Sequence, residues 1–268
     1  MLKILFNPKK AERHPFETFF LGFVYSSISM FFALWIFHEY VSIAMIFLTV
    51  FACIYLIQGA IKMEEKKEVD YKKEGWLLKE HSKLVILILA LFLGFIFSFT
   101  VWSFILPTEK VAQIFVSQDS AVEGIRASIT TGNFTKFEAF SLILINNLKV
   151  LLISLVFALF YGAGAIYILV WNASVMGFVI GTLAKKTLGV TALPLAFSKY
   201  LIHGIPEMLA YLIAAIAGGI IFTSLIKGDI LQEGRRKGLL IDAGILVIIA
   251  IGVLIISALI ETHISPLI

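Results

Sequence analysis

Residues 137–181 read FEAFSLILINNLKVLLISLVFALFYGAGAIYILVWNASVMGFVIG, and residues 203–219 read HGIPEMLAYLIAAIAGG. Long apolar runs are interrupted by a few polar residues that are costly in hydrocarbon: Asn146, Asn147, Asn172, His203 and Glu207. The runs are about as long as the ~20 residues a helix needs to cross ~30 Å of hydrocarbon. They do not alternate polar and apolar residues, which argues against a membrane β-barrel. Polar groups inside such runs are costly, so they pair, line a cavity or serve chemistry.

Working outward, the same pattern repeats along the chain. Of its 268 residues, 60% are apolar and 15% charged, against roughly 25% charged in soluble domains. The composition excludes an ordinary water-soluble domain. It predicts an all-α polytopic bundle of seven spans, at about 16–37, 40–61, 84–107, 141–161, 164–183, 206–225 and 239–260. The basic N-terminal segment precedes a run too long for a signal-peptide core, so that run reads as the first span.

Loop charges set the expected orientation. Four basic residues lie in the N-terminal segment, seven in 62–83 and four in 227–238, out of 22 in the chain. With seven spans, all three segments fall on one side. The positive-inside rule then places the N-terminus inside and the C-terminus outside, in a multi-pass protein of the plasma membrane. Lys185 and Lys186 conflict with this by landing outside. The apolar linker 187–205 reads as re-entrant, interfacial or an eighth span; seven spans satisfy the charge rule better. The net charge of +4 reflects this topology and gives no sign of a nucleic-acid partner. The one cysteine, Cys53, lies in an apolar run and cannot form an internal disulfide.

Segment 62–83 mixes seven lysines with six acids and reads as a solvated hairpin or as extensions of the flanking helices. Segment 108–138 carries Val111, Ile114 and Phe115, then Val122, Ile125 and Ile129, at helical spacing. It predicts one or two amphipathic helices on the outer side.

Small residues predict where helices approach closely. Gly177 and Gly181 form a GxxxG pair. Ala214 with Gly218 and Ala215 with Gly219 form two more small pairs, and Gly162 and Gly164 occupy the hairpin between spans four and five. Whether these contacts are internal or make a homo-oligomer is open at this level. In His203-Gly204-Ile205-Pro206-Glu207, Pro206 suits a first helical turn, so span six is expected to begin there. Gly204 would then supply backbone freedom and His203 would lie outside the helix. His203 and Glu207 read as a polar cap or as a shared site for a proton, a lipid headgroup or a partner. Asn146, Asn147 and Asn172 can cross-link helices. Lys149 and Lys199 are expected to snorkel to the outer headgroups.

There is no GxSxG elbow, Walker motif, dinucleotide fingerprint or HExxH pair. The sequence therefore predicts no enzyme, cofactor or metal.

Taken in order, Asn-Asn-x-Lys, a Gly-x-Gly hairpin, Asn172 with Gly177, and His-Gly-Ile-Pro-Glu heading a small-residue helix resemble the stage II sporulation protein M family. The resemblance covers roughly 84–260. It departs at Ala173, where the family is expected to carry glycine. It implies a five-span core over 84–268 preceded by a two-helix hairpin and charged loop over 1–83. It also implies a non-catalytic scaffold that holds partner proteins on the outer face, surrounded by membrane lipid. The alternative is a transporter or channel whose path is lined by Asn147, Asn172, His203 and Glu207.

Overall fold

The computed structural model describes residues 11, 13–70, 82–130, 135–158, 163–187, 189–226 and 233–264. They form α1 (Pro15–Ile36), α2 (Val41–Asp70), α3 (Ser82–Ile105), α4 (Thr108–Ile114), α5 (Val116–Thr130), α6 (Lys136–Ala158), α7 (Ala163–Lys186), a 3-10 turn (Gly189–Ala192), α8 (Leu193–Ile226) and α9 (Glu233–His263). No strand occurs among the described residues. Seven of these helices are long and apolar enough to cross a membrane, so the all-α seven-span reading holds. The protein is a multi-pass helical membrane protein.

One boundary follows an alternative the sequence offered, and one differs from expectation. The second helix continues past its apolar part, Val41–Ala60, into the charged segment as far as Asp70. The sixth span does not begin at Pro206: α8 starts at Leu193 and carries Pro206 inside it. The stretch expected as a linker is therefore mostly helix. Proline removes one backbone donor, and its ring crowds the carbonyl four residues earlier. Membrane helices tolerate this where a neighbour re-satisfies the freed backbone. The carbonyl that Pro206 leaves without its helical donor is that of Ile202; at the adjacent residue Ser257 of α9 donates to the His203 carbonyl at 2.8 Å.

The chain divides into two compact units, 1–123 with 169–191, and 124–168 with 192–268. The boundaries fall within α5, within α7 and in the 3-10 turn.

In the first unit α1 packs on α2 and α3. The largest fully buried side chains lie here, among them Phe92, Phe95, Phe99, Phe115 and Met30. The α1–α3 contact is close at two glycines. A Cβ on Gly22 would sit 2.6 Å from the Leu91 carbonyl oxygen, and one on Gly94 would run into the Phe19 carbonyl oxygen and stand 3.0 Å from the Phe23 nitrogen. Beside them Ser27 and Ser98 share a hydrogen bond of 2.9 Å, and the Trp102 indole donates to Ser27 at 2.9 Å. The helices α3 and α7 meet at Gly177 and Gly181. A Cβ at Gly177 would be 2.6 Å from Phe99 Cβ, and one at Gly181 would strike Ser103 Oγ. Ser103 donates to the Gly177 carbonyl at 3.1 Å.

The second unit is built differently. Its helices α6, α8 and α9 pack pairwise through small side chains: Ala210, Ala214, Ala217, Ala250 and Ala258 are all fully buried. A Cβ at Gly218 would hit the Leu155 carbonyl oxygen and approach Ala158 Cβ at 2.9 Å, whereas one at Gly219 would meet nothing within 4 Å. Gly164 falls in the first turn of α7, Gly204 is buried within α8, and Gly162 lies outside the described residues.

Candidate functional site

Helix α8 places His203 and Glu207 one turn apart, and Tyr211 one turn further on, so all three share a face. The Tyr211 hydroxyl donates to Glu207 Oε1 at 2.6 Å. The His203 ring hydrogen-bonds the Lys199 backbone one turn back, and Tyr200 lies edge-on to it at 6.2 Å between ring centres. His203 and Tyr211 are buried, at 8% and 4% exposure; Glu207 is half-buried.

The short connection from Ile226 to Glu233, together with the Ser257–His203 bond, runs α9 antiparallel to α8. Side chains on a helix lean toward its N-terminus. Glu207 on α8 and Glu261 on α9 therefore lean toward each other across the Ser257–His203 contact. Glu261 comes within electrostatic reach of both Glu207 and Tyr211. It escaped the sequence reading because it stands two residues from the end of α9, in a segment taken as an outer tail.

On α6 the buried stripe is Asn147, Leu151, Ser154 and Ala158. Asn147 Nδ2 and Ser154 Oγ are buried with no hydrogen-bond partner. Asn146 and Lys149 are exposed. Thr135 and Glu138 form a reciprocal capping box: the Thr135 amide donates to Glu138 Oε2 at 2.7 Å and the Glu138 amide to Thr135 Oγ1 at 3.3 Å. This fixes the start of α6. Lys149 lies eleven residues beyond Glu138, ~16 Å along the axis.

Asn172 belongs to the first unit, whereas Asn146, Asn147, His203 and Glu207 belong to the second. In the first unit, Gln118 donates to Ser174 at 3.0 Å and Ser174 to the Trp171 carbonyl at 2.7 Å. Among the described residues no three histidine, cysteine or acidic side chains gather as metal ligands.

Residues 83–266 match the profile of stage II sporulation protein M. The chain belongs to the stage II sporulation protein M family. No curated protein and no solved structure matches it. The family segment opens with α3, so α1 and α2 precede it, and α1 packs directly on its first helix.

Also within this family segment, α4 and the start of α5 are pinned to the first unit. Phe115, between them, is fully buried. It stacks on Phe178 of α7 at 5.3 Å and meets Phe99 of α3 edge-on at 6.1 Å. Ser42 of α2 donates to the Ile114 carbonyl at 2.7 Å and accepts from the Ser117 amide at 3.2 Å. Lys185 donates to the Leu106 carbonyl just past the end of α3. A cation there is favoured by the helix dipole, which gives this lysine a structural role at that end of the unit.

Proposed function

We propose that this family member is a non-catalytic scaffold of the plasma membrane that holds partner proteins at its outer face. The observation that carries the reading is the fixed platform made by α4 and the start of α5. One side of the platform is anchored by Val111, Ile114, Phe115 and Gln118, all buried. The other side presents Glu109, Lys110, Asp119 and Glu123 to solvent. A rigid, charged surface held on a membrane bundle loses little conformational entropy when a partner docks. Family membership supports the same reading. The positive-inside distribution of loop charges supports placing the platform outside.

The test is recovery of co-purifying proteins from native membranes. Asp119→Lys with Glu123→Lys is expected to leave folding within ~0.5 kcal/mol of wild type, as for exposed substitutions generally. Recovery of partners is expected to fall several-fold. Unchanged recovery would remove the platform from the account.

A second reading, transport of a proton or small solute, is favoured by one observation: two carboxylates, Glu207 and Glu261, lie on packed helices of one three-helix unit. Flux into proteoliposomes that disappears in Glu207→Gln, with partner recovery unchanged, would replace the scaffold reading.

A further inference from the structure

We infer that the face of α6 bearing Asn146 and Lys149 docks a transmembrane helix of another protein that carries an aspartate or glutamate at matching depth. This deepens the scaffold reading and rests on it, by naming the chemistry the partner presents inside the bilayer.

The argument begins with direction. Asn147, Leu151, Ser154 and Ala158 face the unit's interior. At about 100° per residue, Lys149 projects to the opposite side, with Leu142, Ile145, Leu152, Ile153 and Val156 around it. Those neighbours are exposed, Leu152 at 58% and Ile145 at 51%. Asn146 lies one turn before Lys149, alongside the path of its stem, and is also exposed. Of the seven spans α6 is the least covered, with 17% of its span buried against 33% to 61% in the others.

Depth comes next. Lys149 is ~16 Å from Glu138 and ~14 Å from Ala158 at the end of the described helix, so it sits near the middle of the ~30 Å hydrocarbon layer. Its four-carbon stem leans toward the start of α6 but spans less than half the distance to that end. A lysine at the centre of a membrane helix costs ~2.5–3.5 kcal/mol. Among the described residues neither Lys149 nor Asn146 has a hydrogen-bond or ion-pair partner.

No carboxylate among the described residues forms an ion pair with Lys149. Among the described spans of the first unit, the one acid is Glu17 in the first turn of α1. In the second unit Glu207 is engaged by Tyr211, and the α9 acids Asp242 and Glu261 form no ion pair with Lys149. A two-fold pairing of copies through this face would set Lys149 against Lys149, because such an interface brings the same patch together. A carboxylate on a different helix neutralises the ammonium, and the Asn146 amide adds a hydrogen bond to it.

The test uses the full chain in vesicles of phosphatidylethanolamine and phosphatidylglycerol, with a fluorescent helical peptide of about 20 apolar residues carrying one central aspartate. Energy transfer reads association. The wild type is expected to bind this peptide at least ~10-fold more tightly than Lys149→Leu does, a difference of ~1.4 kcal/mol. It is also expected to prefer it to the same peptide with the aspartate moved near one end. Lys149→Asp is expected to regain binding with a peptide carrying central lysine. Lys149→Leu replaces a lipid-facing cation by an apolar group and keeps the fold, which thermal unfolding in detergent checks. Binding that ignores the aspartate, that persists in Lys149→Leu, or that is replaced by self-association or by dependence on phosphatidylglycerol content overturns the inference. Because the assay reads the bilayer face alone, such a failure leaves platform-dependent recovery of partners standing.

Discussion

Gly94→Leu is expected to unfold the first unit or separate α1 from α3. The obstacles around a Cβ at this position are backbone atoms of Phe19, Gly22 and Phe23, which cannot rotate away as a side chain end would. Overpacking in a close-packed interior costs ~1–3 kcal/mol and more where nothing yields. The upper end applies because the reciprocal glycine, Gly22, is itself against the Leu91 carbonyl. Gly219→Leu and Gly252→Leu are the controls, because a Cβ at either meets nothing within 4 Å. These two are expected to be neutral or to gain a little from helix propensity, where glycine is ~0.8–1 kcal/mol worse than alanine. Thermal unfolding in detergent, followed by circular dichroism, separates the three. Equal stability of Gly94→Leu and Gly219→Leu would contradict the α1–α3 packing.

The second large effect is expected at Glu207. Glu207→Ala strands the Tyr211 hydroxyl, which is 4% exposed, and an unpaired buried donor costs ~1–3 kcal/mol. Tyr211→Phe removes the donor instead, and the double variant removes both. The double variant is therefore expected to lose less stability than the two single losses added together, with a coupling of at least ~1 kcal/mol for groups in direct contact. Additive losses in a double-mutant cycle would mean that the 2.6 Å bond contributes nothing to the unit.

These residues also show how far the sequence could be read. The seven spans were legible because each apolar run is long enough on its own, a property local to the chain. The platform was legible because Val111, Ile114 and Phe115 keep helical spacing. The start of α8 was not. Proline at the head of a helix is a local preference, whereas the helix here continues through Pro206 and is contacted at the neighbouring His203 carbonyl by Ser257, 54 positions from His203 in sequence. Gly218 and Gly219 look equivalent in sequence but lie ~100° apart around α8, and only Gly218 meets a neighbour. The Gly22–Gly94 approach joins two helices through one glycine each, so no GxxxG spacing announces it. Glu261 joins the polar cluster because α9 returns antiparallel to α8. Asn172, grouped with Asn147 and His203 on sequence, belongs to the other unit.

The scaffold reading is tested most directly by quantitative mass spectrometry of what co-purifies from native membranes in mild detergent, with wild type and Glu207→Gln compared side by side. The account predicts at least one protein recovered in stoichiometric amount with both, since Glu207→Gln keeps an acceptor for Tyr211 and leaves the platform and the Lys149 face untouched. A preparation of wild type that carries only lipid or a small solute, with solute flux lost in Glu207→Gln, would contradict it.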